Sequence, residues 1–200
     1  SLSLPPDWPG TYATLRESEH DEIRRPAARL ALIFGDPTAL AQLRRTVANP
    51  RAQTTTRSNA LKSLIQKKIP SLPSLLFALL ADHNLQREAI RGLASFNDDA
   101  TPERLLASYP SASVAARTDI LQTLASRKSW AARLIDALED DTIPRRDVSS
   151  YTARQIVSLN DAPLRTRIEK AWGKLNDTAA DKRKQIDSSR KKLSQKALAK

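Results

Sequence analysis

Four stretches of this chain repeat one arrangement, a polar or cationic lead-in followed by small and aliphatic residues at helical spacing. Arg24-Arg25-Pro26-Ala27-Ala28 leads to Ala31-Leu32, and Arg57-Ser58-Asn59-Ala60-Leu61 to Leu64-Ile65. Gln86-Arg87-Glu88-Ala89-Ile90 leads to Leu93-Ala94, and Arg117-Thr118-Asp119-Ile120-Leu121 to Leu124-Ala125. With Ala27, Ala60, Ala89 and Ile120 set in one column, the spacings are 33, 29 and 31 residues, the period of stacked helical pairs. A unit that short cannot bury its own apolar face, so each pair has to cover its neighbour. The fold expected is all-α, an α-solenoid of about five to six helical pairs, with essentially no sheet.

Composition supports the helical reading and narrows the chemistry. Aromatic residues make up only 4% of the chain, so the core has to be built from Ala, Leu and Ile, which suits helices that approach closely. Ala and straight-chain residues also lose least when fixed in a helix. The absence of Cys excludes disulfides, zinc-thiolate sites and covalent haem attachment within these residues. The densest apolar run, from Leu75 to Ala81 behind Pro73, is far shorter than a membrane-spanning helix needs. The chain opens at Ser1 with no charged-then-apolar leader, and is expected to be a processed chain or a piece of a larger one.

The net charge of +11 is unevenly placed. Between Ala179 and Lys200 there are eight Lys/Arg against Asp181 and Asp187, a net of +6 that leaves +5 for the rest. Residues 178–200 are therefore expected to form a basic, partly helical linker, with anionic lipid or nucleic acid as the competing partners for Lys182-Arg183-Lys184 and Arg190-Lys191-Lys192.

Stop signals divide the remainder. Pro5, Pro6, Pro9 and Gly10 make residues 1–10 an extended entry segment. A short helix over 11–17 should turn Tyr12 and Leu15 inward, and Asp21 should cap the next helix, whose stripe is Ile23, Ala27, Leu30, Ala31 and Phe34. Gly35-Asp36, Asn49-Pro50, Asp82 to Asn84 and Tyr109-Pro110 separate further helices, expected over 37–47, 55–68, 71–80, 85–96, a capped 101–108, and 113–126. Beyond these, helices are expected over 130–138 and from about 146 to 159, with Tyr151, Ile156 and Val157 available for burial. A closing helix begins at Asn160-Asp161. The repeat region as a whole spans 11–177.

No residues form a recognisable catalytic set. There is no Gly-x-Ser-x-Gly elbow, phosphate-cradling Gly loop or His-Glu-x-x-His helix. His20 lies among Glu17, Glu19, Asp21 and Glu22, which is equally the composition of a solvated turn, and lacks a second ligand at i+4. Asp98-Asp99 and Asp140-Asp141 sit at turns, where capping explains them. The expectation is a non-catalytic chain with no metal and no cofactor of its own.

The stretch from Asp21 to Ala28, closed by Gly35-Asp36, resembles the second helix of a HEAT repeat. That resemblance implies a ladder in which Asp21, Arg24, Arg57 and Arg117 pair between neighbouring repeats. A longer resemblance runs through Leu4-Pro5-Pro6-Asp7-Trp8-Pro9, Thr101-Pro102, Ser108-Tyr109-Pro110, Ala125 to Ala131, Tyr151 to Ile156 and Trp172-Gly173. It is similar to the HEAT-like domain of large bacterial membrane-bound dehydrogenases, which join a β-propeller, this helical region and a C-terminal c-type cytochrome domain. The resemblance implies a spacer and protein-docking domain, monomeric and extracytoplasmic, with haem c in a following domain. Some DNA glycosylases for alkylated purines are also HEAT-like, and hold the lesion with Trp and Asp over a basic face. On either reading the candidate interaction surface is Arg57, Lys62, Arg87, Arg91, Arg117, Arg127 and Arg154. Phosphate contact would account for the positive charge, whereas Trp8, Trp130 and Trp172 fall where core burial is the simpler use.

Overall fold

The computed structural model describes residues 4–175, so the basic linker expected over 178–200 lies outside the described residues. Among the described residues every regular element is helical. The helices are α1 (Trp8–Leu15), α2 (Asp21–Phe34), α3 (Pro37–Ala48), α4 (Thr54–Gln66), α5 (Leu72–Ala78), α6 (Gln86–Leu93), α7 (Thr101–Ser108), α8 (Val114–Leu124), α9 (Lys128–Glu139), α10 (Ser150–Val157) and α11 (Ala162–Ala171). The described residues form two compact units, divided between Thr123 and Leu124.

Local chemistry sets most boundaries in the first unit. Gly35 ends α2 at φ 71°, a left-handed conformation that suits glycine. Asp36, 1% exposed, then accepts hydrogen bonds from the Thr38 and Ala39 amides and caps α3, with Pro37 in the first turn. Three boundaries differ from expectation. Helix α1 starts at Trp8, inside the stretch expected to be extended, because Pro9 and Gly10 fall in a first turn whose amides have no intrahelical partner in any case. His20 occupies the N-cap of α2, and Asp21 lies one residue inside, bound to Arg24 and Arg25 of its own helix. The cap of α7 falls on Ala100, and the hydroxyl of the fully buried Thr101 has no hydrogen-bond partner.

Helices α3 and α4 pack together, as do α5 and α6, and α4 packs against α6. Ala27, Ala60, Ala89 and Ile120 are all at most 5% exposed. Gly92 shows why small residues matter here: a Cβ placed on it would lie 2.6 Å from Ile65 Cδ1 of α4. Glycine costs about 1 kcal/mol against alanine within a helix, and its use at this position is the close approach of α6 to α4. Around α1, Trp8 stacks on Tyr12 and meets Phe34 edge-on, with ring centroids 5.8 Å and 4.9 Å away. This small aromatic cluster covers Ala27, Ala31 and Ala39.

In the second unit α11 packs against both α9 and α10. Trp130, Leu134, Ile135, Ile143, Ile156 and Ile168 build its core. Asp161 caps α11 by accepting from the Leu164 amide, and Trp172 closes it by donating from its indole nitrogen to the Val148 carbonyl at 2.7 Å. Tyr151, expected to be available for burial, is 65% exposed: it lies in the first turn of α10, whose inner face is supplied by Thr152, Ala153 and Ile156.

Candidate functional site

The seven cations marked as a candidate surface separate into different roles. Arg57 is 4% exposed, donates to the Val47 carbonyl at 2.8 Å and binds the Asp82 carboxylate, which joins α4 to the turn ahead of α6. Burial pushes the Asp82 carboxyl up. The hydrogen bonds from Arg57 and from the Asn84 and Leu85 amides outweigh that, and hold the group below the usual carboxylate range. An arginine in that position fastens two helical pairs and is withdrawn from solvent.

Arg87 on α6 donates to Asp119 of α8 at 2.6 Å, and Arg91 approaches the same carboxylate at 3.9 Å. The hydrogen bond to Asp119 raises the guanidinium pKa of Arg87. Arg117 donates to the carbonyls of Tyr109 and Pro110 and lies over the Tyr109 ring at 5.1 Å, tying α8 to the end of α7. Arg127 and Arg154 belong to the second unit. Arg127 covers Trp130 at 4.9 Å, and Arg154 is exposed on α10.

The ladder implied for Asp21, Arg24, Arg57 and Arg117 is therefore present in one member and absent in three. Asp21 and Arg24 bind within α2, and Arg117 binds backbone carbonyls. Other residues link successive pairs instead. One residue position, two before the column, bonds to the position one before the column in the next pair: Ser58 to Glu88 at 3.4 Å, and Arg87 to Asp119 at 2.6 Å. The position three after the column faces the column helix before it: Gly92 of α6 lies against Ile65 of α4, and Thr123 of α8 donates to the Ile90 carbonyl of α6 at 3.4 Å. In the second unit Arg167 of α11 reaches back to Asp136 and Glu139 of α9 at 2.7 Å and 2.6 Å. These bonds hold the Glu139 carboxyl below its ordinary range.

The described residues of the first unit form at least two concavities. One of about 470 Å³ is lined by Tyr12, Arg16, Thr38, Gln42 and Arg45, with Glu17 bonded to Arg16 on its rim. Burial, and then the nearby Asp36 carboxylate, raise the Tyr12 phenol above its ordinary value. The other, of about 330 Å³, lies between α4 and α6 and is lined by Lys62, Ile65, Glu88, Arg91 and Gly92. It brings together Lys62 and Arg91 from the candidate set. In sequence Ile65 and Glu88 stand only as members of the repeat and Gly92 is unmarked; the readable signal is a glycine inside a helical stripe.

Among the described residues there is no cluster of three His, Cys, Asp or Glu side chains able to hold a metal, and no helix long and apolar enough to cross a membrane. Comparison with family models, curated proteins and solved structures finds no match for this chain.

Proposed function

We propose that this chain is a non-catalytic helical-repeat scaffold whose first unit is a HEAT-like stack and whose role is to space and dock protein domains. The observation that carries the reading is the use made of its cations. Arg57 and Arg87 bind carboxylates 25 and 32 residues ahead, about one repeat on, so much of the apparent basic face is internal linkage. The tryptophans point the same way. Trp8 and Trp130 are at most 8% exposed, so neither presents a ring face to an extruded base, and Trp172 is half-buried with its indole nitrogen donating to the Val148 carbonyl. By its resemblance, the scaffold belongs to a larger extracytoplasmic dehydrogenase with a c-type cytochrome domain. In that setting it holds redox domains at fixed separation as a monomer, and haem chemistry resides outside these residues.

Titration of labelled duplex DNA tests the choice. Phosphate contacts would give an affinity that falls steeply with salt and is abolished by charge reversal at Arg87, Arg91 and Arg117. The scaffold reading expects no saturable binding at physiological salt. Sub-micromolar, salt-sensitive affinity with release of an alkylated base would overturn it. The dehydrogenase setting is tested separately, by haem absorbance of the intact polypeptide that contains this chain.

A further inference from the structure

Within that scaffold reading, we infer that the groove between α4 and α6 binds an extended acidic peptide segment carrying one aliphatic side chain. The groove has the two parts such a ligand requires. Its floor is apolar, formed by Gly92 and by Ile65 of α4, which packs where a Cβ on residue 92 would lie. Its rim carries Lys62 and Arg91, both exposed. Arg87 already binds Asp119 at 2.6 Å, so Arg91, 3.9 Å from that carboxylate and 55% exposed, keeps donor capacity for a ligand.

Lys62 and Arg91 hold the same register, two residues after the column, on helices that pack together. Packed helices lie about 8–10 Å apart, and four residues of extended chain span about 13 Å, a gap that long Lys and Arg side chains can match. The first, third and fifth residues of an extended peptide face one side, so acids at its ends can meet Lys62 and Arg91 while the central aliphatic side chain packs on the floor.

Glu88 decides against a continuous polyanion. It lines the groove between the two cations, held by Ser58, and would face the phosphates of a nucleic acid backbone at close range. A peptide can place a backbone amide there and hydrogen-bond to it.

The test is fluorescence anisotropy on the full chain with a labelled Asp-Glu-Leu-Asp-Glu peptide at physiological salt. Saturable binding is expected, weakened about tenfold or more by Lys62→Glu or Arg91→Gln and unchanged by Arg154→Glu in the other unit. Replacing the peptide Leu with Ser should weaken binding about fivefold, and replacing its acids with amides should abolish it. Because Lys62 and Arg91 are exposed, thermal melts of both variants should match wild type. No binding, equal binding by the Lys62→Glu variant, or equal binding of the Ser peptide would overturn the proposal. If neither the peptide nor duplex DNA binds, the groove assignment alone falls; tight duplex binding would remove the scaffold reading with it.

Discussion

Helices α2 and α6 carry the same column and end in opposite conditions. Every apolar residue of α6, from Ala89 through Leu93, is fully buried. Helix α2 buries Ala27 and Ala31 but leaves Ile23, Leu30 and Ile33 about 40% exposed. The two helices differ in what lies beside them more than in composition. Three residues past the column, α6 has Gly92 against Ile65 of α4, while α2 has Leu30, 42% exposed. On the HEAT-like reading proposed above, this contrast is what a stack would give, in which each helical pair is covered by its neighbour.

The largest effect should come from charging the column where it is enclosed. Ala89→Glu places a carboxylate at a fully buried site with no cation provided, and should cost about 4 kcal/mol or prevent folding altogether, read by thermal or chemical melts. An unchanged melting temperature would break the repeat register.

Truncation sharpens the same contrast. Leu93→Ala in α6 should cost about 3 kcal/mol as a fully buried leucine. Leu30→Ala in α2, at 42% exposure, should cost about 1 kcal/mol or less. Equal losses in the two variants would show that the outer face of α2 is covered in solution.

Gly35→Ala should cost about 1 kcal/mol, because alanine must adopt the left-handed φ of 71° that closes α2. Acid unfolding gives the finest distinction. Asp82, at the entry to α6, has its folded pKa depressed, so its contribution is fully present above the unfolded value of about 3.9 and is lost as pH falls through the folded pKa. In melts between neutral pH and strong acid, Asp82→Asn should flatten the stability loss below about pH 4. An acid limb identical to wild type would show that the Arg57 contact is not maintained in solution.

Much of this architecture is legible in the sequence, for reasons that are local. Gly35-Asp36, Asp161 and the Pro residues at helix starts act through backbone conformation and first-turn hydrogen bonding, so they mark ends without tertiary information. The column is legible because it repeats. What sequence does not show is which partner a polar group selects. Asp21 had the position and chemistry of a cap, yet its carboxylate binds Arg24 and Arg25 one turn on. Tyr151 is an aromatic residue available for burial, but it lies in the first turn of a helix whose buried side is filled by smaller residues. The seven cations formed one surface in sequence because all carry charge. In the structure Arg57 is buried, Arg87 and Arg117 are occupied, and Lys62 with Arg91 frame a groove whose floor depends on a glycine.

The central claim is that arginines of this chain fasten one helical pair to the next, and a double-mutant cycle on Arg57 and Asp82 measures it directly. Arg57→Ala, Asp82→Ala and the double variant should be compared by urea unfolding at neutral pH. The buried ion pair predicts that Arg57→Ala alone costs about 3 kcal/mol, and that the two substitutions are coupled by about 2 kcal/mol, the second adding little once the first is made. Strictly additive losses, with coupling indistinguishable from zero, would contradict it.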